Sequence, residues 1–190
     1  MSRASGLTNG SGPEPNFEWA GIVLVNPRGE LLLNLRDSSK AIGAGQWDLV
    51  GGTLEASETP EACILREVFE ETGESMRSVE WLQDYDVPLN GGSWGRLHVF
   101  FGELDKDASV LLVGEGVEHR FFSPHELEAL DIVEGMKGVL LDFVARQRRA
   151  KEPSGVDDGL PLPRLPRLAA AMARNDSSGS AAASSGHSSR

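Results

Sequence analysis

The segment Gly51–Glu74 constrains the fold more than any other part of this 190-residue chain. It reads GGTLEASETPEACILREVFEETGE. Thr59 followed by Pro60 is typical of a helix N-cap and the first helical position. Gly73 is a typical helix stop, so the sequence predicts a helix over 60–72. The Gly51-Gly52 pair ends a short apolar piece and allows the backbone to approach a neighbouring group closely.

Three carboxylates of this predicted helix, Glu67, Glu70 and Glu71, share an arc of about 100° on the helical wheel. The apolar stripe predicted to pack on the core consists of Ala62, Leu65, Val68, Phe69 and Thr72. Like charges at these spacings repel one another, and Arg66 is the only cation of the helix. A solvated helix face is the ordinary interpretation. A divalent cation among the carboxylates is the alternative, and such oxygen ligands suit Mg²⁺ or Mn²⁺ rather than zinc.

The spacing of these residues resembles the signature of the Nudix hydrolase family, whose members include MutT-like proteins. Gly52 is followed after five residues by Glu58 and, after seven more, by the run REVFEETG over 66–73. The family signature, Gly-x5-Glu-x7-Arg-Glu-apolar-x-Glu-Glu-x-Gly, closes on an apolar residue, and Glu74 occupies that last position here. This Nudix box covers residues 52–74, and weaker similarity extends over 17–149.

The resemblance implies an α/β fold, a Nudix-type α/β/α sandwich around a mixed β-sheet. It implies Mg²⁺-dependent hydrolysis of a pyrophosphate bond in a nucleoside diphosphate linked to another moiety, which releases a nucleoside monophosphate. A nucleotide, a nucleotide sugar and a damaged nucleoside triphosphate all remain open as substrates. Dimers are common in the family, so a homodimer also remains open.

The resemblance also implies roles for individual residues. Glu67, Glu70 and Glu71 would bind Mg²⁺, with Mn²⁺ as the alternative, and the Gly52 carbonyl would assist. Glu67, Arg66 and Glu70 would form the catalytic group. Arg66 would orient a carboxylate, either Glu67 or Glu58, by a charge-assisted hydrogen bond.

Four residues outside the box are further candidates. Glu115 and Glu118 could supply the general base or an extra metal ligand, and ordinary surface carboxylates are the alternative. Arg36 could contact a substrate phosphate, although a surface salt bridge explains it equally well. Trp47 could stack on a substrate base, but a buried core tryptophan is the favoured interpretation.

The remaining sequence predicts mostly strands. The runs FEWAGIVLVN and ELLLNLR predict a hairpin, and QWDLV predicts a short strand before the two glycines. The runs VEWLQDYDV and RLHVFFGEL predict two strands joined by a turn at Gly91-Gly92, and VLLV and VEHRFF predict two shorter ones. Met136, Val139, Leu140 and Phe143 recur at helical spacing and predict an amphipathic helix over about 132–149.

These elements predict one Nudix hydrolase domain over 17–150, between disordered segments at 1–16 and 151–190. The C-terminal segment is rich in Pro, Ser, Gly and Ala, and it contains GLPLPRLPRL with a PxxP spacing. A stiff linker is the favoured interpretation of this run. Docking to an aromatic groove of a partner, as in an adaptor protein, is the alternative.

The composition of the chain argues against several classes of binding partner and site. The formal net charge of −11 argues against a protein that coats nucleic acid or binds acidic membranes. The sequence has no apolar run of about 18 residues, so no membrane span is predicted. The single cysteine, Cys63, excludes an internal disulfide and a Cys-rich zinc site. With no signal-peptide pattern at the N-terminus, we expect a cytoplasmic protein that acts on a small nucleotide-type substrate. A catalytically weak Nudix-fold protein that binds nucleotides or regulates is the alternative function.

Overall fold

Seven strands form one mixed sheet in this computed structural model, which describes residues 14–88 and 94–151. The strands are β1 (Phe17–Val25), β2 (Leu31–Leu35), β3 (Trp47–Asp48), β4 (Val50–Thr53), β5 (Glu80–Pro88), β6 (Trp94–Glu103) and β7 (Glu118–Phe122). Two helices of the described residues are α1 (Pro60–Thr72) and α2 (Met136–Lys151). The predicted Gly91-Gly92 turn and nearly all of both predicted disordered segments lie outside the described residues.

Strand β1 is the centre of the sheet, whose order is β3-β2-β1-β6-β5. Its pairing with β6 is parallel over the whole strand, and β5 pairs antiparallel with β6. The other edge of β1 pairs with two strands, β4 and β2. Strand β4 pairs with residues 19–22, whereas β2 pairs only at Val25 with Leu31. This sharing brings the Gly51-Gly52 pair directly beside the first half of β1.

The two faces of the sheet carry separate apolar layers, because successive β1 side chains point to opposite sides. Trp19 and Val23 belong to the layer that packs on α2, whereas Ala20, Ile22 and Leu24 belong to the layer that packs on α1. The predicted α/β/α sandwich around a mixed sheet is confirmed.

Helix α2 buries the predicted stripe of Met136, Val139, Leu140 and Phe143 against the sheet. It begins at Met136 and not at the predicted residue 132. Ile132 instead forms a parallel bridge with Trp47, and Gly135 has a φ of 91° that turns the chain into the helix. No helix among the described residues is long and apolar enough to span a membrane.

The predicted strand VLLV at 110–113 is wrong. The chain forms a 3-10 turn at Ala108–Val110 and then runs against the end of α1. The Leu112 amide donates to the Thr72 carbonyl at 3.0 Å, and the Gly114 amide donates to the Glu71 carbonyl at 2.9 Å. These donors satisfy the last carbonyls of the helix, which have no partner within it. They are therefore unavailable for a sheet ladder.

Both predicted ends of α1 are confirmed. The Thr59 hydroxyl accepts a hydrogen bond from the Ala62 amide at 3.2 Å, and Pro60 is the first helical residue. Gly73 ends the helix with a φ of 75°, in the left-handed region that glycine adopts without strain. The apolar closing residue of the box is Glu74 here, and its carboxylate pairs with Lys106 at 2.7 Å.

The predicted apolar stripe of α1 is wrong for two of its five members, Ala62 and Phe69. The buried residues of the helix are Cys63, Ile64, Val68, Glu71 and Thr72. Phe69 is 56% exposed and Ala62 is exposed. The helix therefore turns its carboxylate side towards β4 and the sheet. Glu71 lies near the middle of the buried arc, which hydrophobic periodicity cannot predict because the residue there is charged.

Gly51 allows β4 to approach β1, as the sequence predicts. Its φ is 149°, and a Cβ atom placed on it would lie 2.2 Å from the Ala20 carbonyl oxygen. Gly29 offers a comparison, because its φ is 78° but nothing lies within 4 Å of its Cβ position.

We predict that Gly51→Ala lowers the free energy of unfolding by about 3 kcal/mol or more, because strain at positive φ adds to a backbone overlap. Gly29→Ala is the matched control and should cost only about 1 kcal/mol, from backbone strain alone. Urea denaturation of both variants measures the difference. Equal losses would show that the close approach to Ala20 is relieved by movement of β4.

Candidate active site

One cavity of about 340 Å³ receives side chains from both layers of the fold. Its acidic lining residues are Asp48, Glu67, Glu70, Glu71 and Glu115. Its larger apolar lining residues are Trp19, Ile42, Leu49, Val50, Leu97, Val133 and Met136. The backbone of Gly51 and Gly52 contributes to the same wall. The cavity therefore combines a cluster of acidic side chains with an apolar surface.

Arg66 holds the outer carboxylates of the box together. Its guanidinium bonds both oxygens of Glu58, at 3.0 and 2.9 Å, and one oxygen of Glu67 at 2.7 Å. A longer bond of 3.1 Å reaches Glu70. The hydrogen bonds from Arg66 lower the pKa of Glu58, and Glu58 in turn raises the pKa of Arg66. The two carboxylates that the sequence left open as partners are thus both bound.

Glu67 packs against Gly52 on the side where a Cβ atom would lie. A Cβ atom on Gly52 would lie 2.2 Å from the Glu67 Oε1 atom, so a side chain at this position would displace the carboxylate from its present place. Burial raises the pKa of Glu67, although its bond to Arg66 acts in the opposite direction. The Cys63 thiol lies 3.8 Å from the Gly52 carbonyl oxygen, and burial raises the pKa of that thiol to about 12. Cys63 is therefore a neutral packing residue.

Glu71 is the most buried carboxylate of the box, with 2% of its surface exposed. Its Oε1 accepts from the Gly51 amide at 2.9 Å, and its Oε2 accepts from the Asn34 side chain at 2.8 Å. Burial raises the pKa of Glu71 to about 8, and the nearby charge of Glu67 adds to the effect. Both oxygens are held in place, so the carboxylate has one orientation.

Two polar residues of neighbouring strands, Asn34 and His119, form hydrogen bonds to Glu71. Asn34 of β2 and His119 of β7 face each other across the two strands, and the His119 Nε2 donates to the Glu71 carbonyl at 3.0 Å. Sequence reasoning missed both roles. Asn34 is the one polar residue of the run LLLNL, and this signal could have identified it.

The three charged candidates beyond the box differ in position and in partner. Glu115 lines the cavity and pairs with Lys40 at 2.9 Å. Glu118 is exposed on β7 and lies outside the cavity lining. Arg36 lines the cavity, but its guanidinium is bound to Asp48 at 2.8 Å and to the Ile42 carbonyl at 3.0 Å. The ion pair that the sequence offered as the alternative for Arg36 is therefore present.

Trp47 is only partly buried and packs against the edge of the apolar layer beside α2. Its ring meets Phe122 edge to face with the centroids 4.7 Å apart, and it lies outside the cavity lining. The tryptophan that lines the cavity is Trp19, which sequence reasoning missed. Its position follows from the pairing of Trp19 with Thr53, the residue after the two glycines.

The box carboxylates share the cavity without converging on one point. Glu67 and Glu70 are bound to Arg66, and Glu71 is bound to Gly51 and Asn34. Within residues 14–88 and 94–151, no group of three or more His, Cys, Asp or Glu side chains is arranged to hold a metal ion. The Glu70 side chain is 56% exposed, so its conformation can change without disturbing the core.

The NUDIX domain profile matches residues 17–143 of this chain. The chain belongs to the Nudix family. Over 74 residues it is 34% identical to an RNA pyrophosphohydrolase of a Marinomonas species, a match that covers 39% of this chain and 41% of that protein. Over 63 residues it is 44% identical to a MutT-like protein of Streptomyces ambofaciens, covering 33% of this chain and 37% of that protein. In these matches the Nudix chain spans less than half the length of each relative.

The fold also matches solved Nudix structures. The crystal structure of a MutT protein from Methanosarcina mazei Go1 superimposes with a TM-score of 0.59 at 25% sequence identity. The match covers 75% of this chain and all of that one. The prediction of a Nudix box at 52–74 is thereby confirmed at the level of the family.

We predict that Asn34 and Glu71 are strongly coupled, because removing either partner leaves a buried polar group without its bond. A double-mutant cycle of Asn34→Ala and Glu71→Gln, followed by urea denaturation, should give a coupling of about 1–3 kcal/mol. Asn26 and Glu30 form the matched control, since the same atom types meet at 2.7 Å on a turn outside the cavity. Its coupling should be smaller, because Glu30 is partly exposed and keeps its bond to Arg28. Equal couplings would contradict a special role for the buried pair.

Proposed function

We propose that this Nudix chain hydrolyses a pyrophosphate bond in a nucleoside diphosphate linked to another moiety and releases a nucleoside monophosphate. One observation carries the proposal: Gly52 and the box carboxylates Glu67, Glu70 and Glu71 line the same cavity as an apolar surface. Such a cavity matches a molecule with a charged phosphate chain at one part and a flat, weakly polar base at another. We assign this activity to the domain at 17–150. We also propose that the protein acts in the cytoplasm, where nucleotides are found.

The donor set fits Mg²⁺, with Mn²⁺ as the alternative. Glu67, Glu70 and Glu71 offer hard carboxylate oxygens and Gly52 offers a carbonyl oxygen, which are the ligand types that these ions prefer. Bound Mg²⁺ would neutralise phosphate charge and lower the pKa of a coordinated water. Glu71 and Glu67 are already held by backbone and side-chain bonds, whereas exposed Glu70 would change partner from Arg66.

The chain's own residues would divide the remaining work. Arg66 keeps Glu58 and Glu67 in place through charge-assisted bonds and so limits the movement of the Glu67 carboxylate. Glu115 is the better candidate for the general base, because it lines the cavity and Glu118 does not. Trp19 supplies a flat apolar surface for a base.

The substrate panel follows from the relatives and from the cavity. Two kinds of relative are called RNA pyrophosphohydrolase and MutT. The panel should therefore include nucleoside triphosphates, damaged nucleoside triphosphates, nucleotide sugars, dinucleotides and an RNA with a terminal triphosphate. The acidic charge of the chain disfavours extended contact with nucleic acid, so an RNA would be engaged through its terminal phosphates alone.

A nucleotide-binding protein without turnover is the second candidate. The observation that favours it is the pairing of Arg66 with two of the three carboxylates that are candidates for metal binding. Calorimetry with the panel separates the two functions: tight binding in Mg²⁺ without any product would favour the binding protein. Gel filtration with light scattering would decide whether the proposed unit is a homodimer.

We predict that Glu70→Gln together with Glu71→Gln lowers kcat for pyrophosphate cleavage by at least about 100-fold. Loss of metal ligands removes several kcal/mol of charge stabilisation in the transition state. Glu61→Gln is the matched control, because Glu61 is exposed in the first turn of the same helix and lies outside the cavity lining. It should retain wild-type kcat. Full activity in the double variant, with unchanged circular dichroism, would refute the assignment.

Removal of divalent metal gives a separate prediction. Dialysis against a chelator should abolish hydrolysis, and added Mg²⁺ should restore it, because the carboxylate-lined cavity cannot neutralise phosphate charge unaided. Metal binding to the folded state should also raise the Tm in proportion to the logarithm of the Mg²⁺ concentration. Activity that survives chelation would contradict the metal requirement, and an unchanged Tm would argue against a Mg²⁺ site in the folded protein.

A further inference from the structure

Two loops that contribute to the cavity lining meet through an ion pair. The first, residues 37–45, is closed at its base by Arg36, whose backbone bonds Gly45 and Gln46 at 3.2 and 3.0 Å. The second, residues 111–117, is attached to the end of β2 where the Val117 amide donates to the Leu35 carbonyl at 2.7 Å. Both loops are therefore anchored at the same strand end. Lys40 of the first and Glu115 of the second form an ion pair of 2.9 Å between them.

The cavity has few cations to receive an anionic substrate. Among the described residues, its only basic lining residues are Arg36 and Lys40, against five acidic ones. Arg36 is committed to Asp48, and the two side chains are only 22% and 9% exposed. Breaking that buried pair would leave an uncompensated charge, which is costly. Arg36 is therefore unsuited to exchange its partner for a phosphate.

Lys40 differs from Arg36 in the partner that it holds. Glu115 is 62% exposed, and an ion pair of this kind contributes only about 0–1 kcal/mol because water screens it. The backbone at Lys40 is fixed, since its amide donates to the Asp37 carbonyl at 3.1 Å. Its ammonium group sits on a flexible stem, which suits a change of partner.

We propose that Lys40 binds a phosphate group of the substrate and gives up Glu115 to do so. The exchange replaces a screened carboxylate by a more highly charged phosphate oxygen, and it offsets part of the repulsion from the acidic lining. It also frees the carboxylate of Glu115, which lines the cavity. This inference rests on the proposed function, because it names a phosphate-binding residue of the same cavity.

The test compares Lys40→Met with Lys40→Arg and with Lys106→Met. Lys106 is the matched control because it forms a similar ion pair, with Glu74 at 2.7 Å, and lies outside the cavity lining. The readouts are KM and kcat for the best substrate of the panel and the Kd of α,β-methylene ADP, a non-hydrolysable nucleoside diphosphate analogue. Lys40→Met should raise KM and Kd about 10- to 100-fold, the range expected for a lost bond to a charged group, with kcat changed little. Lys40→Arg should restore most of the affinity, and Lys106→Met should match wild type.

A second measurement tests the exchange itself. Glu115→Gln removes the competing carboxylate, so it should tighten binding of the analogue when no divalent cation is added. Weaker binding in this variant would overturn the exchange. If Lys40→Met and Lys106→Met have the same KM and Kd, the role of Lys40 is overturned. This holds even where wild-type hydrolysis upholds the proposed function. If wild type cleaves no member of the panel, the proposed hydrolysis fails, and analogue binding still decides the role of Lys40. Absence of binding by wild type would overturn both.

Discussion

The buried carboxylate of Glu71 is the interaction on which the arrangement of the site depends. It ties α1 to β4 through the Gly51 amide and to β2 through Asn34. Burial of a charged group costs free energy, and the raised pKa of about 8 expresses that cost. The two bonds offset part of it only when the helix has one position relative to both strands. Because the buried carboxylate of Glu71 needs both bonds, it fixes the position of α1 beside the cavity.

The other box carboxylates differ from Glu71 in exposure and partner. Glu67 is half-buried against Gly52 and shares Arg66 with Glu58, while Glu70 projects to solvent and is held by one longer bond. The three carboxylates are thus held less firmly as their exposure to solvent increases from Glu71 through Glu67 to Glu70. A set of ligands with two fixed members and one adaptable member can accept an ion or a substrate without disturbing the core, because only the exposed side chain must move.

The sequence predicts the ends of α1 better than its buried face, whereas for α2 it predicts the buried face but not the first residue. Thr59 and Gly73 define α1 because capping is local chemistry that depends on a few neighbouring residues. The face of α1 was predicted incorrectly, since hydrophobic periodicity assumes that charged residues point outwards and Glu71 points inwards. The box residues of the site were predicted from their resemblance to the Nudix signature. Trp19 and Lys40 were not, because their places depend on the β1–β4 register and on a loop closed by Arg36.

The segment mistaken for a strand at 110–113 shows why local patterns fail at this point. Its apolar residues suit a strand, but its amides are drawn to the carbonyls at the end of α1, where Leu112 bonds Thr72 and Gly114 bonds Glu71. His119, a few residues later, bonds the same Glu71 carbonyl. The end of the helix therefore anchors the loop that carries Glu115. The distance between Glu115 and the box carboxylates is therefore set on one side by the end of α1 and on the other by the bond of Val117 to Leu35 at the end of β2. Any change that frays the last turn of α1 would also move Glu115.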